Sequence, residues 1–593
     1  MADSIEKSEY KFLQRLKGDF LADFRAESQW RDEREEYGRF YDGDQLSDEE
    51  KRELKERGQP AVVINRIKPK LDAIFGIQEG LQVDTKVYPA APPLDVPVDP
   101  EQQFTPEQQA MLISEELRRI EDDSQFDEEE SLLFEDICID GRGWYKIAKE
   151  FDGLDGIDKI THVSNEAIVI DRFTSREDLR TGDLRTSKRV HETVWMDLED
   201  AQELFPDYKS EIEASVNRPE MQSPFLLSNK LEEEKPDQYA QPGGTKGLSD
   251  ADLEELSTFI DKKRKRVRVT TTYYRTPVVK KFLKHAGGTA EVTGESDKSI
   301  KKMLNEFDGA THWNEVRYAL NSATFIWNCI LEEKKDIRPY DKFGKFPLIM
   351  VPAYVTRDKT KRPYGLIKQQ LDPQKEVNKR RSKMLHLLNV NQVWYEEGAF
   401  DDEPRAFREM ARPDGKIRYR KEFKVDNIRH QDLAVSQFQL LQESKQEIDQ
   451  SGVNPEIEGQ SKATSGRDFQ LRQQQAMQSI RKLFVNLRAA RKRVAEYLLD
   501  EILYRKPYLT VRKYDLVIDE APDTLSLMTE TFDGLVSLAR SGIQIPPDMI
   551  IEASPLDPAK KEQILVRLQQ QQEAQMQMAM AQMQAQQVQP VAG

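Results

Sequence analysis

Cysteine is almost absent from this chain: its 593 residues include two, Cys138 and Cys329. Each sits among apolar neighbours and neither has a C-x-x-C partner. That excludes a disulfide framework and a thiolate metal clip, and leaves two small buried hydrophobes of a reducing compartment. Histidine is scarce as well. His162, His191, His285, His312, His386 and His430 lie far apart without metal-ligand spacing, so surface or packed roles are favoured over catalytic ones. No stretch reaches the ~18 apolar residues of a membrane-spanning helix, and the opening MADSIEKSEYKF lacks the apolar core of a signal peptide. No G-x-x-x-x-G-K-S/T phosphate loop occurs, and Gly141-Arg142-Gly143 precedes a strand pattern instead of opening a helix, so nothing supports ATP binding through a P-loop. These absences point to a soluble intracellular protein, or one assembled inside a cell, with no catalytic group, metal or cofactor.

What is present is charge, helix and sharply punctuated loop. Asp plus Glu number 106 against 89 Lys plus Arg, a net charge of −17, which disfavours indiscriminate adhesion to nucleic acid. The length exceeds one ordinary core and implies several domains or one elaborate subunit.

Along the chain, residues 3–40 carry Phe12, Leu16, Phe20, Phe24 and Trp30 at helical spacing. An apolar patch at Ala61–Ile64 precedes a helix bearing Ile67, Leu71, Ile74 and Phe75, and residues 89–106 form a Pro-rich linker. Helical period returns from Glu107 to Cys138. The segments around Trp144, Ile168 and Val190 alternate as strands do, and Asp197–Phe205 forms a short helix ended by Pro206. Residues 209–250 are polar, with little strand or helix signal, and read as an extended insertion; β character resumes around Val267–Phe282 and Thr324–Glu333.

Beyond Pro363 the pattern is helical again. Asp372 caps and Pro373 fills the first turn of a helix reaching about Leu388. A two-stranded excursion from Gln392 to Phe423 turns at Pro413-Asp414-Gly415, and a helix covers 430–449. Gly452, Pro455 and Gly459 break it. Met477, Ile480, Phe484, Leu487, Val494 and Leu498 then mark a long helix with one buried stripe. A strand lies within 508–518 and a helix over Leu525–Ala539, before a tail rich in Gln, Met and Ala without charge after Glu573, for which disorder and helix remain open.

Two basic clusters stand out. Lys262, Lys263, Arg264, Lys265, Arg266 and Arg268 crowd a strand start, while Lys375, Lys379, Arg380, Arg381 and Lys383 share one helix, the lysines at spacings of four. Such a stripe faces either a phosphate backbone or acidic residues of a neighbouring subunit, and pairing is favoured. No aromatic arrangement suggests base stacking, so any DNA contact is through shape and charge without sequence preference. Asp122, Asp123 and the run Asp127–Glu130 admit a Mg²⁺-dependent nuclease as an alternative, against the plainer reading of a solvated helix face.

Taken together, Gly365-Leu366, Asp372-Pro373-Gln374, Asn378-Lys379-Arg380-Arg381-Ser382, Ser451-Gly452-Val453-Asn454-Pro455 and Ser465-Gly466-Arg467 resemble the portal proteins of short-tailed, P22-like bacteriophages. QPAVVINRIKPKLDAIFG, beginning at Gln59, resembles the family's N-terminal phrase, and the segment from Asp171 to Met196 its middle one. The resemblance covers most of residues 55–550. It implies an α+β portal subunit with wing, stem helices, β-containing clip and crown, and a tail that is either a short C-terminal helical barrel or disordered. Twelve copies would ring one vertex of a phage head in the virion, assembled in the bacterial host cytoplasm. Double-stranded DNA would pass through the channel during packaging and ejection. The implied partners are the large terminase subunit, a head-completion or tail adaptor protein, and the major capsid and scaffolding proteins, with no membrane.

The implied organisation is a wing over 1–371 with insertions near 89–110 and 209–250, a first stem helix over 372–388, a clip over 389–429, a second stem helix over 430–450, a tunnel loop over 451–466 and a long helix over 467–503. A wing return and crown occupy 504–564, and 565–593 is the tail. Channel or subunit-interface positions are then Lys375, Lys379, Arg380, Arg381, Lys383, Gly452, Asn454, Pro455, Gly459, Ser465, Gly466 and Arg467. Besides the nuclease, a helical scaffold or adaptor without a channel is the other alternative.

Overall fold

The computed structural model describes residues 2–80, 82–89, 106–152, 155–217, 256–285, 288–292, 296–306, 310–339, 341–389, 392–410, 415–428, 431–451, 466–506, 514–521 and 535. The apolar residues near the start are buried along two helices: Leu13, Leu16, Phe20 and Leu21 on α1 (Ala2–Ala26), and Trp30, Tyr37 and Phe40 on α2 (Ser28–Asp42). α2 stops where Gly43 takes the left-handed conformation, φ 91°. A helix that hydrophobic periodicity does not reveal, α3 (Asp48–Glu56), is started by a capping box in which Ser47 and Glu50 each accept from the other's backbone N–H. It buries no side chain, so it has no apolar stripe to detect.

α4 (Lys68–Glu79), α5 (Pro106–Asp123) and α6 (Phe126–Ile139) supply Leu71, Ile74, Ile113, Leu117, Leu133, Phe134 and Ile137 to the largest core. The other wall comes from far along the chain. Leu483, Leu487, Val494, Leu498 and Ile502 on α14 (Gly466–Arg505) face the same cluster, so the long stripe is buried by the first third of the protein.

The strands form separate sheets. β2 (Arg142–Asp152) lies between β3 (Asp155–Val163) and β11 (Leu348–Pro352), all antiparallel. A larger antiparallel sheet runs β10-β9-β7-β5-β4, from β10 (Ile330–Lys334), β9 (Thr311–Phe325), β7 (Arg266–His285), β5 (Arg189–Asp197) and β4 (Ile168–Ile170). The short β6 (Ile260–Asp261) and β8 (Gly288–Glu291) also pair with β7. α1 covers this sheet, with Leu16 and Phe20 among Phe259, Val267 and Phe325. β1 (Gln82–Pro89) pairs with β16 (Tyr514–Ala521), returning the chain after α14 to its first third. β12 (Tyr354–Val355) and β13 (Pro363–Tyr364) make a small ladder. α7 (Arg176–Thr181), α8 (Leu198–Leu204) and α10 (Asp297–Glu306) complete these parts of the mixed helix-and-sheet fold.

Two expectations are corrected here. The insertion expected from residue 209 begins as a helix, α9 (Lys209–Asn217), because Ile212 and Val216 pack under the large sheet; residues 218–250 lie outside the described residues. The cluster Lys262–Arg268 is not one continuous patch. Its first four residues turn between β6 and β7, Arg266 pairs with Asp197 at 2.6 Å, and Arg268 stacks on Trp195 and Phe24. The linker at 90–105, the helix expected over Leu525–Ala539 apart from residue 535, and the tail lie outside the described residues.

Candidate subunit interface and channel elements

The segment carrying five of the twelve sequence-predicted positions is a helical hairpin. α11 (Leu371–Asn389) and α13 (Gln431–Ser451) enclose Val377, Met384, Leu441 and Ile448, all buried. Between them, β14 (Gln392–Tyr395) pairs antiparallel with β15 (Val425–Ile428). α12 (Glu403–Met410) lies between the strands in sequence, and Ala399, Phe400 and Ala406 form a small separate core beside Tyr395 and Phe423. The expected excursion is therefore present but differently made, and its second strand, Val425–Ile428, lies past the expected end at Phe423. Its strands are only four residues long and far apart in sequence, and α12 precedes the expected turn. The turn's Pro413 and Asp414 lie outside the described residues.

One face of α11 is a polar ladder that sequence reasoning did not identify. Gln374, Asn378 and Ser382 recur every four residues and are each at most 1% exposed. They grip an extended strap just before α4. Ser382 Oγ accepts from Val62 N–H at 3.3 Å, Asn378 Oδ1 from Ile64 N–H at 2.9 Å and Gln374 Oε1 from Arg66 N–H at 3.2 Å. Gln374 Nε2 donates to Ile64 O at 2.6 Å, and His386 Nδ1 lies 3.2 Å from Gly58 O. The match is geometric: four helical residues rise about 6 Å and two extended residues about 6.6 Å. Helix side chains thus play the part of a neighbouring strand and satisfy backbone groups that burial would otherwise strand. Gln45 closes the network, its Oε1 accepting from Gln374 at 2.9 Å and Asn378 at 2.7 Å. Two of the sequence phrases singled out above, QPAVVIN and Asn378–Ser382, therefore hold each other.

The strap is anchored at the hairpin's open end. Lys70, 2% exposed, donates to Ile448 O at 3.1 Å and pairs with Asp449 at 2.8 Å, while Arg66 reaches Asp449 at 3.7 Å. Because Arg66 touches both Gln374 near the start of α11 and Asp449 near the end of α13, the helices are antiparallel.

The basic residues of α11 separate into two groups. Lys375 pairs with Glu36 at 2.5 Å, and Arg380 pairs with Glu376 and donates to Gln437 at 3.4 Å. Their charges are met within the chain, so the favoured expectation of pairing with a neighbouring subunit does not describe these two. Lys379 and Lys383 are exposed and Arg381 half-buried, and none has an ion-pair or hydrogen-bond partner among the described residues. Gly452, Asn454, Pro455, Gly459 and Ser465 lie outside the described residues. Gly466 is the first residue of α14, and Arg467 follows it in the first turn.

The acidic run at 122–130 does not converge on one point. Glu130 is 1% exposed and accepts from Arg491 Nε at 2.5 Å and Tyr145 Oη at 3.1 Å, while Asp127 pairs with Arg491 at 3.0 Å. Glu129 accepts from His162 N–H at 2.5 Å. The run ties α6 to α14 and β3. Among the described residues, no group of three or more His, Cys, Asp or Glu is placed to hold a metal ion. Asp140, just past α6, accepts from Asn165 Nδ2 at 2.9 Å with Arg34 3.8 Å away. Burial, aided by Asp136, pushes its carboxyl up to about 7. Among the described residues, no helix is long and apolar enough to cross a membrane.

The family model described as "Phage P22-like portal protein" matches residues 17–503 and 505–592. No curated protein matches the chain.

Proposed function

This chain belongs to the family of phage P22-like portal proteins, and on that premise we propose that it forms a twelve-subunit ring at the unique vertex of a phage head. The family is structural and not catalytic. In the proposed role the ring is the conduit for double-stranded DNA during packaging and ejection. It is also the platform on which the large terminase subunit docks first and a head-completion or tail adaptor protein docks afterwards. Major capsid and scaffolding proteins surround it, in a particle assembled in the host cytoplasm.

The observation that carries this reading is the family match over nearly the whole chain. The hairpin supports its details. Two antiparallel helices tipped by a small domain suit a stem, over 372–388 and 430–450, leading to a clip over 389–429. The interval 451–466 would be the tunnel loop and 467–503 the long helix behind it. The pairing of β16 with β1 supports reading the residues just after α14 as a return to the wing; in the proposed organisation a crown follows up to 564, and 565–593 is a tail that forms a short barrel or is disordered. Exposed Lys379 and Lys383 beside neutralised Lys375 and Arg380 favour subunit contact over tight DNA binding, since a conduit that held its cargo firmly would obstruct it.

Heads assembled in cells that lack this chain test the proposal. They should form without packaged DNA, and supplying the chain before assembly should restore filling. DNA-filled heads in its absence would overturn the proposal.

A further inference from the structure

Resting on the ring reading above, we infer that Lys379 and Lys383 on α11 of one copy pair with Glu447 and Glu443 on α13 of the next copy, as a two-rung charge ladder between adjacent hairpins. All four side chains are exposed, and none has an ion-pair or hydrogen-bond partner among the described residues. This contrasts with Lys375 and Arg380 on the same helix, which are matched within the chain.

Register supports the pairing. The seam between α11 and α13 holds Val377 and Met384 against Leu441 and Ile448. Both couples are seven residues apart, so in antiparallel helices Val377 lies level with Ile448 and Met384 with Leu441. Counting from those levels, Lys379 stands beside the height of Glu447, and Lys383 beside that of Glu443. The four-residue spacing is the same on both helices, about 6 Å along each axis.

Direction supports it too. At 100° per residue, Lys379 and Glu443 each lie roughly 150° round their helix from the seam, and Lys383 and Glu447 roughly 110°. In an antiparallel pair these directions fall on one side of the hairpin's plane, with the lysines at one edge and the glutamates at the other. The opposite side of α11 is occupied by the strap, held through Gln374, Asn378 and Ser382. Within one hairpin the two charged edges point apart and do not meet. A head-to-tail cyclic contact, by contrast, sets the lysine edge of one copy against the glutamate edge of the next at every interface. The occupant of this surface is therefore a second copy of the same chain, chosen by charge and register together.

Two measurements test it. The first is the double variant Lys379→Cys with Glu447→Cys, oxidised and run on a denaturing gel. A ladder of covalent multimers is expected, while the single-cysteine parents, which also carry buried Cys138 and half-buried Cys329, stay monomeric. The second is charge reversal. Lys379→Glu with Lys383→Glu replaces two attractions by two repulsions and should weaken each interface about thirtyfold. Adding Glu443→Lys and Glu447→Lys in the same chain should restore rings. Closed rings without cross-links, or rings unaffected by reversal, would overturn the ladder and leave the portal reading standing. Failure of the unaltered chain to form any ring would instead remove the portal reading and the ladder with it.

Discussion

Replacing Asn378 by alanine should loosen the strap far from the substituted helix. Asn378 is 1% exposed, its Oδ1 accepts from Ile64 N–H at 2.9 Å and its Nδ2 donates to Gln45 Oε1 at 2.7 Å. Truncation removes both bonds and a longer one that Oδ1 accepts from Gln374 Nε2 at 3.3 Å. Gln45 Oε1 keeps Gln374 as a donor, so its loss is partial. Ile64 N–H, on a half-buried residue, keeps no partner among the described residues, and an orphaned donor costs about 1–3 kcal/mol where water is kept from it. With the small void left by the side chain, the local cost is about 2–3 kcal/mol. The large multi-part chain is not expected to unfold as one unit, so the fitting assay is amide hydrogen exchange followed over peptides spanning 59–67. Local opening should become about thirtyfold or more easier there, at 1.4 kcal/mol per tenfold, with the sheet peptides of β7 and β9 unchanged. Lys379→Ala, on the exposed neighbour, serves as control and should leave exchange at 59–67 within twofold of the parent. Equal protection of the strap in Asn378→Ala and the parent would refute the view that helix side chains hold this backbone.

Three further outcomes follow from buried groups. Arg491→Met leaves Glu130 shielded from water without its cation, which should cost about 3–5 kcal/mol and lower the thermal midpoint in calorimetry; an unchanged midpoint would show that the Glu130–Arg491 contact is not structural. Asp140 holds its proton up to about pH 7 in the folded chain, against an ordinary carboxyl near 3.8. The unfolded state therefore releases the proton first, and stability falls as pH rises from about 4 to 7, by at most about 4 kcal/mol. Asp140→Asn should flatten that slope in denaturation curves taken across the window, and an identical slope in the variant would exclude Asp140 as its source. Gly365→Ala would drive a methyl group into the carbonyl oxygen of Cys138, which accepts from Leu366 N–H at 2.8 Å; the variant should express poorly or melt several degrees lower, and normal solubility and melting would show that the backbone gives way there.

How far the molecule was readable from its sequence depended on where each signal lay. Ile480, Leu487, Val494 and Leu498 repeat at helical spacing within one segment, so α14 was legible, although its partners Leu71 and Ile74 lie some four hundred residues earlier. Asp372-Pro373 likewise announced the start of α11, although the helix begins at Leu371 and Asp372 lies inside its first turn instead of capping it. α3 went unread: it buries no side chain, and its one local signal is the capping box of Ser47 and Glu50, which is independent of hydrophobic period. Pro413-Asp414-Gly415 misled. It is good turn chemistry, but the pairing that closes the excursion joins Gln392 to Ile428 around an intervening helix. The polar stripe Gln374, Asn378, Ser382 was visible as spacing, but its meaning lies in backbone more than three hundred residues away. The lysine stripe showed the opposite limit. Its regular period hid that Lys375 is neutralised by Glu36 from α2, whereas Lys379 and Lys383 are not matched within the described chain.

The central claim is a closed ring, and electron microscopy of the purified chain, with its rotational symmetry counted, tests it most directly. Twelvefold rings are expected, with an axial opening wide enough for a DNA duplex and the helical hairpins side by side around it. A monodisperse monomer at high concentration, or a closed assembly without a central channel, would contradict it.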